Sequence, residues 1–130
     1  MARNTRTYSD IDLSFNMHPV TKDIVIKYDE EAIKASVKNL VLTQNYEKPF
    51  HSEIGSQVRG LLFEPATPIL RTLLQKTISD TISSFEPRVT VKKVEATVSP
   101  DNNEVYVNIL FVINNTTRPV SVNLILTRTR

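Results

Sequence analysis

The sequence predicts an α+β fold, with three helices packed on one face of a small antiparallel sheet, a C-terminal three-stranded meander and a short N-terminal hairpin. Three observations predict it. Residues 29–85 carry apolar side chains at helical spacing, residues 89–127 carry them in alternation, and polar turn residues separate the alternating runs. A chain of 130 residues with 40% apolar side chains is enough for one core. It is expected to form a single domain, with extended segments over 1–28, helices over 29–85 and the meander over 86–130.

In the first stretch, Ile11, Leu13 and Phe15 alternate with Asp12 and Ser14, and Ile24, Ile26 and Tyr28 alternate with Val25 and Lys27. The proline-containing connector Asn16–Asp23 lies between them, so a hairpin is expected. Asp29 is a candidate cap, and Glu30 and Glu31 suit the positive end of a helix. Ile33, Val37, Leu40 and Val41 then make one apolar stripe, with a loop expected over Val41–Pro49. A second helix is expected from near Ser52, on Ile54, Val58, Leu61 and Leu62, ending at Pro65. The third has the clearest start, with Thr67 as cap and Pro68 at the first helical position. Its stripe runs through Ile69 or Leu70, Leu73, Leu74, Ile78, Ile82 and Phe85, and Pro87 forbids its continuation.

In the third stretch, Val105, Val107, Ile109, Phe111 and Ile113 share one face of a strand, and Val120, Val122, Leu124 and Leu126 share one face of the next. The run before them changes parity between Val89 and Val91 on one side and Val94, Ala96 and Val98 on the other. One extra residue near Lys92-Lys93 repairs the phase, which predicts a bulge. The turns are Pro100-Asp101-Asn102-Asn103 and Asn114-Asn115-Thr116-Thr117. The last strand holds no lysine and no acid, with proline only at its start, Pro119. As an edge it would be open to another chain.

Composition removes several kinds of chemistry. Without cysteine there is no disulfide, thiolate metal site or thiol catalysis. With only Gly55 and Gly60, no glycine-rich phosphate loop can be written. No apolar run exceeds five residues, against the roughly 20 a membrane-crossing helix needs. The start, Met1-Ala2-Arg3-Asn4-Thr5-Arg6, does not read as a signal peptide, so the expected location is a cytoplasm. Net charge is +2, and from Val105 onward the only charges are Arg118, Arg128 and Arg130. That surplus would suit a polyanion, but it lacks the dense basic and aromatic cluster of a nucleic-acid binder.

His18 and His51 read as solvated loop residues. Asp10, Asp12, Glu53, Glu64 and Glu86 lie at element ends, where the paired acids of a glycoside hydrolase often sit. Such a site also needs one acid with a raised pKa and a cleft with exposed aromatics. The chain has no tryptophan, and solvated or capping acids are the simpler reading. Phe85-Glu86-Pro87-Arg88 stands out as a stiffened corner with opposite charges beside the proline. It reads either as a helix stop with a surface ion pair or as a rigid charged knob for a partner.

Several segments resemble a known family. These are Tyr8-Ser9-Asp10-Ile11-Asp12-Leu13-Ser14-Phe15, Asp23-Ile24-Val25-Ile26 leading into Asp29-Glu30-Glu31-Ala32-Ile33-Lys34, Pro49-Phe50-His51-Ser52-Glu53-Ile54-Gly55, Leu62-Phe63-Glu64-Pro65 and Glu86-Pro87-Arg88. In this order they resemble the small baseplate wedge subunits of contractile phage tails, a family that extends to type VI secretion baseplates and in which some members are called lysozymes. Thr21-Lys22-Asp23 departs from the pattern, because the family's turn there usually contains glycine.

The resemblance implies a structural protein of the virion tail baseplate, assembled in the host cytoplasm, with no catalytic residues, metal or cofactor. The implied partners are the larger baseplate wedge subunits and the tail sheath protein, with the tail tube as a further neighbour. Neither nucleic acid nor membrane is expected. Glu86, Pro87 and Arg88 match the motif that meets the wedge core bundle. The sheath is expected to add a strand at the sheet edge, here assigned to Val120, Val122, Leu124 and Leu126. The alternative is a peptidoglycan-degrading, muramidase-like hydrolase.

Overall fold

A computed structural model describes residues 8–114 and 116–128. The expectations that fall on Met1–Arg6, Asn115 and Arg130 lie outside the described residues. The chain divides into two compact units, residues 1–36 and 37–130.

In the first unit, β1 (Ser9–Ile11) pairs antiparallel with β2 (Ile26–Tyr28), and Met17 bridges Ile24 further along. The expected alternation ran on to Phe15, but the strand stops at Ile11. Asp12 turns the chain: its Oδ1 accepts the Ser14 N–H at 3.1 Å, its carbonyl accepts the Phe15 N–H at 3.0 Å, and Phe15 has φ 53°. At the glycine-lacking turn, Lys22 itself takes the left-handed conformation (φ 56°), and its N–H donates to the His18 carbonyl at 2.8 Å. A lysine thus supplies the geometry that glycine gives without steric cost.

Helix α1 (Asp29–Leu42) begins in this unit. Asp29, Glu30 and Glu31 fill its first turn, and Lys34 lies 3.1 Å from Glu30 in an i,i+4 pair. Ala32, Ile33, Val37 and Val41 are fully buried. Val41 and Leu42 were expected in a loop, but the helix continues through them, because Val41 is buried one turn after Val37.

The second unit departs most from expectation at its second helix. α2 is a single turn, Val58–Leu61, and residues from Ser52 to Gln57 are not helical. Gly55 sits at φ +138°, and a Cβ there would lie 2.8 Å from the Gln44 carbonyl carbon. This close crossing of two backbone segments is held by Ser56, whose N–H donates to the Thr43 carbonyl (2.8 Å) and whose hydroxyl donates to the Val41 carbonyl (2.6 Å). Ile54, Val58 and Leu62 imitate a helical stripe, but Gly55 cannot be helical in that position.

α3 (Pro68–Phe85) starts as expected: the Thr67 hydroxyl accepts the Leu70 N–H at 3.3 Å and Pro68 follows. Leu70, Leu74, Ile78 and Ile82 are buried. Ile69 is exposed, and so are Leu73 and Phe85, which the spacing had placed in the buried stripe. The helix packs on β3 (Val89–Ser99) of a three-stranded sheet of order β3-β4-β5, with β4 at Glu104–Ile113 and β5 at Pro119–Thr127. Both pairings are antiparallel. Val91 pairs with Phe111 and Lys93 with Leu110, so Lys92 is the predicted extra residue. Val105, Val107, Ile109, Phe111 and Ile113 of β4, and Val120, Val122, Leu124 and Leu126 of β5, are all buried.

Candidate docking sites

The α3–β3 corner is built by local chemistry. The Glu86 N–H still donates to the Ile82 carbonyl at 2.9 Å, but its φ of −120° and ψ of 85° leave the helical region, as a residue before proline must. Arg88 grips the Glu86 carboxylate with two hydrogen bonds, Nε to Oε1 at 2.6 Å and Nη2 to Oε2 at 2.9 Å. The pair is not the surface ion pair of the simpler reading. The Glu86 side chain is only 5% exposed, against 30% for Arg88. Such a fork fixes direction as well as charge.

Asn114 completes the corner. Its Nδ2 donates to the Pro87 carbonyl and its backbone N–H to the Arg88 carbonyl, each at 2.8 Å. The proline elbow is therefore tied to the far end of β4. In the sequence Asn114 reads as an outward strand-end and turn residue; its 27-residue separation from Pro87 gives no local signal.

β5 is an edge strand, and the register shows which of its groups are open. The Arg128 N–H donates to the Asn103 carbonyl at 2.6 Å, and Glu104 pairs with Thr127. Backbone pairing alternates every second residue in an antiparallel ladder. Val120, Val122, Leu124 and Leu126 therefore turn both their side chains into the core and their backbone groups toward β4. The outward N–H and C=O groups belong to Ser121, Asn123, Ile125 and Thr127. Among the described residues, no strand pairs with this side of β5. The opposite edge is different: β3 is kinked by its bulge and carries exposed Lys92, Lys93 and Glu95, devices that discourage pairing.

Arg128 also corrects an expectation. It belongs to the basic C-terminal surplus that would suit a charged partner surface. Its side chain is instead buried, donating from Nε to the Leu62 carbonyl at 3.0 Å and from Nη2 to that of Glu64. A cation on the carbonyls just beyond α2 is favourable. The signal was present in the sequence, since 128 continues the even-numbered, inward series of β5.

Two of the remaining candidate acids, Asp12 and Glu53, are held in local hydrogen-bond networks. Hydrogen bonds from the Ser14 backbone N–H and hydroxyl, with Lys27 at 3.4 Å, hold the Asp12 carboxyl below the ordinary carboxylate range. The Glu53 carboxyl is lowered by its own backbone N–H and by His51, 3.4 Å away. Both shifts run opposite to what a general acid needs. Among the described residues, no group of three His, Asp or Glu side chains could hold a metal ion.

A family model described as "Baseplate wedge protein gp25" matches residues 27–118. The chain belongs to the baseplate wedge protein gp25 family. The match contains the whole Glu86-Pro87-Arg88 corner and stops just before β5. The gp25 wedge protein of Enterobacteria phage T4 is 30% identical over 116 residues, which cover 88% of this chain and 87% of that one. Membership makes the chain a structural baseplate wedge subunit of a contractile tail.

Solved structures show the same fold. A Geobacter sulfurreducens protein named as a candidate tail lysozyme superposes with a TM-score of 0.73 at 16% identity, covering 78% of this chain and 92% of that one. A chain of the anti-feeding prophage baseplate gives 0.65 at 16% identity over 95% and 87%. A chain of the postcontracted pyocin R2 baseplate gives 0.61 at 18% over 77% and 98%.

Proposed function

We propose that this gp25-family subunit is a non-enzymatic connector that docks on the larger wedge subunits through the Glu86-Pro87-Arg88 corner. Its open β5 edge accepts an extended arm of the tail sheath protein and so seeds the first sheath ring. The open edge of β5 carries this reading. Its four outward residues offer a ladder of donors and acceptors to a strand of almost any sequence, as strand addition requires. The corner supports the first half: a buried carboxylate clamped by a half-exposed guanidinium is rigid and charged, and Arg88 retains surface for a partner.

Asn123→Pro tests the sheath half. The Asn123 N–H points away from β4, so proline removes no bond of the protein's own ladder. The variant is expected to keep its circular dichroism spectrum and to lose capture of purified sheath protein. Undiminished capture by the folded variant would refute strand addition at this edge.

A further inference from the structure

A groove opens beside the C-terminal half of β5. It has a volume of about 480 Å³ and is walled by Val41, Val58, Leu62, Phe63, Ile125 and Leu126. Val41, Val58 and Leu62 are core residues, so the groove reaches the core layer. Phe63 and Ile125, by contrast, are 67% and 62% exposed at its rim. Arg128 fixes the near wall, because its side chain anchors the carbonyls of Leu62 and Glu64 on either side of Phe63.

The groove lies where an added strand would send a side chain. Residues directly opposite each other in a ladder share one face of the sheet. Leu124 and Leu126 face the core, so the residues of an incoming strand opposite them also face the core side. Beyond the edge of β5, that side is the groove. Its lining includes no acid and one cation, Arg59.

We infer that the groove is a selectivity pocket for the added strand. It takes a bulky apolar side chain, such as Leu, Ile, Met or Phe, from the residue opposite Leu126, in a segment that also carries an acidic residue able to reach Arg59. The occupant is an extended arm of a partner protein. The inference rests on strand addition at β5 and adds to it a sequence requirement on the arm. Backbone pairing alone accepts nearly any sequence. A filled pocket makes the edge selective and fixes the register, since a slip of one residue would turn the apolar side chain to solvent.

Gly60 gives a clean test. It lines the groove, nothing lies within 4 Å of a Cβ added there, and its φ is outside the left-handed region. Gly60→Leu therefore adds bulk at the groove's lining without crowding the core, and Phe63→Ser removes a wall residue that is already mostly exposed. Capture of purified sheath protein by each folded variant would be titrated beside Asn123→Pro, with light scattering on each protein alone. The expected result is at least tenfold weaker capture by Gly60→Leu and by Phe63→Ser, with Asn123→Pro abolishing capture. Loss with Asn123→Pro but full-strength capture by Gly60→Leu would overturn the pocket and leave strand addition standing. Full capture by Asn123→Pro would remove strand addition itself. A wild-type dimer that Gly60→Leu converts to monomer would make the occupant a second copy of this chain and would also overturn the proposal.

Discussion

Two residues show how little of their role lies in residue type alone. Arg88 is one of eight basic side chains in the second half of the chain, yet among the described residues it is the one that forks onto a buried carboxylate. Arg88→Ala leaves Glu86 buried without that fork, which should cost about 1–3 kcal/mol, less than a fully buried pair because Arg88 is partly exposed. Urea denaturation checks the loss, and the protein should stay folded. Pairing Glu86→Leu with Arg88→Met should recover most of the stability while wedge capture stays lost. Recovered capture would mean that the charges matter only to the fold. Gly55 is the second case. Gly55→Ala forces a methyl within 3 Å of the Gln44 and Thr43 backbones at a φ that L-residues avoid, so a loss of about 2–4 kcal/mol is expected in the same denaturation experiment.

Elements were legible where their signal is local. The start of α3 follows from Thr67 and Pro68, and the bulge of β3 from a change of parity around Lys92-Lys93. Both need only neighbouring residues. The second helix was misread for a tertiary reason: Gly55 must let another backbone segment pass, and spacing alone cannot reveal that. β5 was half legible. Alternation identified Val120, Val122, Leu124 and Leu126 as a set, and it is the buried set. The groups open to a partner alternate with them, and finding those required the register with β4. The bulge supports a prediction of its own. Removing Lys92 leaves Val91 opposite Phe111 and Val94 opposite Ile109, with Lys93 between them, so no side chain changes face. The deletion should preserve the circular dichroism spectrum but straighten β3 and weaken its protection, and light scattering should report more self-association.

At the scale of the whole molecule, the two edges of the three-stranded sheet are unequal. One edge is kinked and charged; the other is straight, uncharged and bordered by an apolar groove. A subunit with both edges blocked would end a sheet, and one with both open would invite aggregation. In the proposed function, the open edge of the three-stranded sheet lets the subunit add one strand in one direction, as a seed for an ordered ring must. Amide hydrogen exchange followed residue by residue is the most direct test, in the free protein and in its complex with sheath protein. The account predicts that the amides of Ser121, Asn123, Ile125 and Thr127 exchange fast in the free protein, while those of Val120, Val122, Leu124 and Leu126 are protected, and that the four fast amides become protected in the complex. Fast exchange persisting at those four positions in the saturated complex would contradict it.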